Sequence, residues 1–179
     1  MATAAKDTKT ARKKGAKTIA REYFEAIANQ DLAKASSMWK PGGKGYLHGL
    51  AELEAPGGWR AYFENLFGAF PDLELKAVEI AASGNNAGVR WRATGTFTGP
   101  ARFQGLAPTG KRIAIEGCDM LRIEDEQIVE NNAYTNGAQL AQQLGVLPAE
   151  GSVGERAVTA AFNARTAAVD AVRRFRARG

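Results

Sequence analysis

The chain has 179 residues, 45% apolar and 24% charged, with a formal net charge of +5, which describes one globular domain with enough chain to bury a core. Its single cysteine, Cys118, excludes an internal disulfide and a thiolate metal cluster, and its single histidine, His48, argues against a histidine-based metal site. No apolar run approaches the ~20 residues of a membrane-spanning helix, and the N-terminus lacks the apolar core of a secretory signal, so a cytoplasmic protein with no membrane span is expected.

Residues 1–17 hold six Lys/Arg against Asp7 and residues 165–179 hold five Arg against Asp170, which leaves the segment 18–164 at −4. The basic pI belongs to the ends. Residues 1–14 are read as a basic, flexible N-terminus. Proteins that stack nucleic-acid bases combine basic and aromatic side chains on one face, and these ends lack aromatics apart from Phe175, so nucleic acid is the weakest class of partner.

Within Lys9 to Ala28, residues Ile19, Tyr23 and Ile27 recur at helical spacing and predict an amphipathic helix. Asp31 is placed to cap a short second helix carrying Leu32, Ala35, Met38 and Trp39. The stretch from Pro41 to Gly58, rich in glycine and proline and containing His48, reads as a loop. Trp59, Tyr62, Phe63, Leu66, Phe67 and Phe70 repeat at three and four, an aromatic helix that ends before Pro71. Three helices are thus expected before any strand.

Strands follow. Asp72 to Ala82 changes parity between Leu73/Leu75 and Val78/Ile80, which predicts a bulge near Ala77. Ser83-Gly84-Asn85-Asn86 is a hairpin turn by composition. From Ala87 to Thr98, Val89, Trp91, Ala93 and Phe97 point one way and Arg90, Arg92, Thr94 and Thr96 the other. A short strand Ala101 to Gln104, a turn-rich segment 105–110, a long strand Arg112 to Ile123, a last strand Ile128 to Thr135 and a short helix Ala138 to Leu144 complete the core. Helices followed by a bent antiparallel sheet make an α+β fold.

The strand from Arg112 to Ile123 carries the sharpest chemical signal. One face reads Ile113, Ile115, Gly117, Asp119, Leu121 and Ile123, so Asp119 falls on the apolar side. An unpaired buried carboxylate costs several kcal/mol unless it takes up a proton, finds a donor or opens onto a cavity. Asp119 is therefore a candidate site residue, with a structural aspartate bonded to Tyr, Trp or backbone donors as the alternative. Glu116 and Cys118 lie on the opposite face and are assigned no chemistry.

The ordered set Phe70-Pro71-Asp72-Leu73, Val89-Arg90-Trp91, Thr94-Gly95-Thr96, Gly105 to Lys111, Asp119-Met120-Leu121-Arg122-Ile123 and Gln143-Leu144-Gly145 resembles the SnoaL-like polyketide cyclase (ester cyclase) family of the NTF2-like superfamily. The resemblance covers about residues 15–148. It implies an NTF2-like cone, three N-terminal helices packed in a strongly bent antiparallel sheet around an apolar small-molecule pocket, in a homodimer. It also implies cofactor-free chemistry in which an acid/base aspartate promotes an aldol ring closure.

On that frame Asp119 is the candidate base and His48 its candidate acid/base partner from a loop over the mouth of the cone. Asn132 and Tyr134, on the parity of Ile128 and Glu130, are candidate donors to a substrate carbonyl. Trp59, Tyr62, Phe63 and Trp91 would line the pocket. No metal and no cofactor are expected, and the ligand would be a small hydrophobic or carbonyl-containing molecule. The last strand reads Glu130-Asn131-Asn132-Ala133-Tyr134-Thr135-Asn136, where cyclases commonly place acids or histidine, and asparagine is no general base. A cyclase or isomerase and a non-catalytic binding or dimerisation module both follow from these residues.

Beyond Pro148, residues 149–179 form a C-terminal helical extension, with a helix from about Val153 to Arg176 whose stripe of Val158, Ala161, Phe162, Val169, Val172 and Phe175 runs beside arginines. It is expected to pack on its own domain or on a dimer mate, with a membrane surface as the outside option.

Overall fold

The computed structural model describes residues 13–177; the expected basic segment 1–14 and the predicted helix start at Lys9 lie largely outside the described residues. The first helix, α1 (Ala16–Ala28), buries Ile19, Tyr23, Phe24 and Ile27 on one stripe. α2 (Leu32–Ser37) is capped by Asp31, whose side chain accepts from the Lys34 amide at 3.0 Å.

The next two elements are strands, β1 (Trp39–Leu47) and β2 (Ala51–Glu54), and only then comes the aromatic helix α3 (Gly57–Ala69). The expectation of three helices ahead of all strands, with a loop from Pro41 to Gly58, is corrected here. Gly43 and Gly45 are not turn glycines: a Cβ on Gly43 would stand 3.0 Å from Trp39 Cε3 and one on Gly45 3.7 Å from Trp39 Cη2. Gly43 lets the buried Trp39 indole lie close against its own strand, a packing role that composition alone reads as a loop, while Gly45 has room for a side chain.

The remaining strands are β3 (Glu74–Ser83), β4 (Asn86–Thr96), β5 (Arg112–Glu124) and β6 (Gln127–Thr135), followed by α4 (Gly137–Gln143) and α5 (Val153–Arg176). They form one six-stranded sheet in the order β2-β1-β6-β5-β4-β3. The sheet is mixed, because β1 runs parallel to β6 while every other neighbouring pair is antiparallel. The register of β3 on β4 shifts between Ala77 and Glu79, where the parity change requires it. Ala101 to Gln104 is not a strand: Phe103 and Leu106 form a single isolated bridge, and the chain there folds back at Gly105 with φ of 79°.

Tyr23, Phe24 and Ile27 of α1, Trp59 of α3, Val89 and Trp91 of β4 and Leu121 of β5 belong to one core between the helices and the inner sheet face. α4 returns to that face by Leu140, and its Gln143 side chain bonds both the amide and the carbonyl of Ala114 on β5. α5 differs from every other helix. Its residues 156–170 and 172–176 are exposed, so the expectation that it packs on its own domain does not hold. An Ala/Arg-rich helix started by the Ser152 cap needs no packing partner for its backbone bonds, only for its apolar side chains.

Candidate active site

Three strands converge on Asp119. It lies opposite Val89 of β4 and Ala133 of β6, and alternation turns its side chain into the core, where it is 7% exposed. Each carboxylate oxygen has one protein donor. Trp91 Nε1 donates to Oδ1 at 2.7 Å, and Asn131 Nδ2 donates to Oδ2 at 2.6 Å.

The tryptophan reaches this position because its register partner is Gly117. A Cβ on Gly117 would stand 2.2 Å from Trp91 Cζ2, so the indole fills the space that any other residue would occupy. The inward face of β5 thus has a hole two residues before Asp119, and Trp91 lies in it with its N–H aimed at the carboxylate.

Burial pushes the Asp119 carboxyl up to about 6, against the opposing effect of the Asn131 and Trp91 hydrogen bonds. Tyr23, fully buried in the same core, is pushed well above its ordinary value by burial and secondarily by the Asp119 charge, so it stays a neutral phenol. Desolvation thus brings the Asp119 carboxyl close to neutral pH.

Asp119 and Asn131 open onto an apolar cavity of about 100 Å³. Trp59, Tyr62, Phe63 and Trp91 line it, together with Phe24 and Phe103. Trp59 and Phe63 stack with ring centroids 4.4 Å apart. Burial pushes the Tyr62 hydroxyl up to about 12, which leaves an O–H donor on a pocket-lining residue. The volume is several waters' worth and less than the several hundred Å³ of pockets that enclose drug-sized ligands.

The other candidates fall differently. His48 follows β1, is exposed, and stacks on Tyr134 at 4.4 Å between centroids, while its Nε2 lies 3.0 Å from Asn132 Oδ1. Asn132 Nδ2 donates in turn to Glu130 at 2.9 Å. His48 and Tyr134 border the cavity, but Asn132 does not, and His48 bonds Asn132 and not Asp119. The inward asparagine is Asn131. A register shift where Arg122 pairs with Glu130 and Ile123 with Ile128 inserts Val129 as an extra residue, so Ile128 and Asn131 share the inner face although their numbers differ in parity. Nothing in the composition of the last strand marks that bulge. Among the described residues, no group of three or more His, Cys, Asp or Glu comes together to hold a metal ion, and no helix is long and apolar enough to cross a membrane.

Residues 17–144 match the family model described as SnoaL-like polyketide cyclase. No curated protein matches the chain. Among solved structures, the chain is similar to AclR, a proposed hydroxylase from Streptomyces galilaeus, at 29% identity and a TM-score of 0.63 over 74% of this chain and 96% of that one. It is similar to IdmH, a proposed polyketide cyclase from Streptomyces antibioticus, at 25% identity and a TM-score of 0.58, covering 72% of this chain and 96% of IdmH. A protein with a ketosteroid isomerase-like fold from Catenulispora acidiphila matches at 12% identity and a TM-score of 0.60, over 71% of this chain and 92% of that one, a likeness of fold alone.

Proposed function

The chain belongs to the SnoaL-like polyketide cyclase family, and on that premise we propose that it is a cofactor-independent cyclase or isomerase that removes a proton α to a carbonyl, with Asp119 as the base. The observation that carries this reading is a carboxylate held at the wall of an apolar cavity with its pKa raised to about 6. A general base works best with a pKa near the operating pH, and desolvation is what brings a carboxyl there. Trp91 and Asn131 would fix the carboxylate's direction, its free lone pairs facing the substrate. The proton passes from the α-carbon to a carboxylate oxygen, and the electron pair moves into the enolate, whose oxygen needs a donor such as the Tyr62 hydroxyl.

The substrate class is an apolar carbonyl compound small enough for the cavity, or a larger one admitted by movement of the α3 aromatics. We assign residues 15–148 to the catalytic unit and 149–179 to an appended helix, and take the working form to be a homodimer. A second reading, a non-catalytic small-molecule-binding module, is favoured by one observation: both Asp119 oxygens already accept a hydrogen bond from the protein.

The test is proton exchange. Each of a set of β-keto esters is incubated with the protein in deuterated water, and loss of the α-proton signal is followed by NMR. Exchange that Asp119→Asn abolishes, with its fold intact, supports the base. Ligands that raise the melting temperature of both proteins without exchange in either establish the binding module instead.

A further inference from the structure

We propose that α5 is an interfacial helix that docks this protein on a membrane surface rich in anionic lipid. The observation is a free amphipathic helix. Residues 156–170 and 172–176 are exposed, including Phe162 at 66% and Phe175 at 83%. Val158, Phe162, Val169 and Val172 follow one another at spacings of three, four and seven, and so form one stripe along the helix.

The helix starts from its own local cap. Ser152 Oγ accepts from the Glu155 amide at 3.1 Å and Glu155 reaches back to the Gly151 amide at 2.6 Å, a reciprocal cap that starts it firmly. Arg173, Arg174 and Arg176 occupy the last turn, where positive charge suits the helix dipole.

Charge selects the occupant. Five arginines, at 156, 165, 173, 174 and 176, stand against Glu155 and Asp170, so the helix carries +3, and residues 1–17 at the other end of the chain carry +5. Arg165 and Arg176 continue the three-and-four spacing of the apolar stripe. A seam with a second copy of α5 would bury these guanidinium groups and bring together two helices that each carry +3. On a lipid surface the same side chains lay their stems along the apolar layer and raise their heads to the phosphates. Valine and phenylalanine enter the acyl boundary while the arginines meet anionic headgroups.

The proposal does not depend on the chemistry of the pocket. It is tested with the full chain on vesicles of phosphatidylcholine alone and of phosphatidylcholine mixed with phosphatidylglycerol, by co-sedimentation. Binding to the anionic vesicles on the order of tenfold stronger than to the neutral ones is expected. The double variant Phe162→Glu/Phe175→Glu and the double variant Arg173→Gln/Arg174→Gln should each lose most of it while keeping the wild-type melting temperature. Absence of anionic binding, or binding that survives both variants and so resides in the N-terminal lysines, overturns the proposal. So does light scattering that shows an oligomer of the wild type broken by Phe162→Glu/Phe175→Glu, which would make a second copy the occupant.

Discussion

Asn131 and Asp119 are joined by a 2.6 Å hydrogen bond across the β5–β6 ladder although they are not register partners: Asn131 lies opposite Leu121, and Asp119 opposite Ala133. Both point inward, as diagonal neighbours on one sheet face do. The other side of the same amide, Asn131 Oδ1, is buried without a partner. That orientation is set by the carboxylate, which can accept from Nδ2 and can only repel Oδ1 while ionised.

This geometry makes Asp119 a pH-dependent burden on stability. Its carboxyl is raised from 3.8 to about 6 on folding, so between those values the folded state binds more protons than the unfolded state. Stability therefore falls as pH rises through that window, by about 3 kcal/mol in all. Asp119→Asn should remove this component and be the more stable protein above about pH 6. The new amide can donate to a turned Asn131 Oδ1 and accept from Trp91. Urea unfolding below and above the window, compared between the two proteins, checks it; parallel pH dependences refute it.

Trp91→Phe keeps a ring in the space over Gly117 and deletes the donor to Asp119 Oδ1. Losing a hydrogen bond to a buried charge costs about 1–3 kcal/mol at neutral pH and moves the Asp119 titration upward, since the Trp91 bond holds it down. Carbon-13 NMR of the Asp119 carboxyl reads the midpoint directly, and an unmoved titration would show that the indole does not support the charge.

Gly117→Ala should be among the most damaging single methyl additions in the domain. The added carbon would meet Trp91 Cζ2 at 2.2 Å and the Tyr134 carbonyl at 2.6 Å, neither of which is the far end of a flexible side chain. Overpacking of this kind costs about 1–3 kcal/mol, and displacement of Trp91 would also take its N–H from Asp119. A lowered melting temperature with a shifted indole proton resonance is expected; a wild-type melting curve would contradict the packing.

The two neighbouring asparagines should separate cleanly. Asn131→Ala removes a donor to the carboxylate and raises the Asp119 titration, while Asn132→Ala frees His48 from its 3.0 Å partner and leaves Asp119 unchanged. Equal effects of the two on the Asp119 resonance would mean that the inward position is misassigned.

Deleting residues 152–179 should leave the domain's melting temperature where it is, since the described residues beyond 155 are exposed and bury nothing in it. A fall would show that the helix packs in solution.

Much of the sheet was legible from residue order. In β4 and β5 the alternation of Val89, Trp91 and Ala93 and of Ile113, Asp119, Leu121 and Ile123 tells inside from outside, because a strand has period two and one face must leave water. The same periodicity singled out Asp119 and the parity change near Ala77, and helical spacing gathered the aromatics of α3 into one helix. Other features were decided by tertiary contacts. Gly43 and Gly45 belong to a strand because Trp39 lies against Gly43 and β6 supplies a parallel partner at Gly45, neither of which local composition records. Asn131 and not Asn132 meets Asp119 because one unpaired residue, Val129, reverses the parity of β6, and a bulge is chosen by the fit of two strands. The sequence by itself determined which residues prefer the interior. Which of them touch, and so which carboxylate is desolvated between which donors, was decided only when the strands found their register.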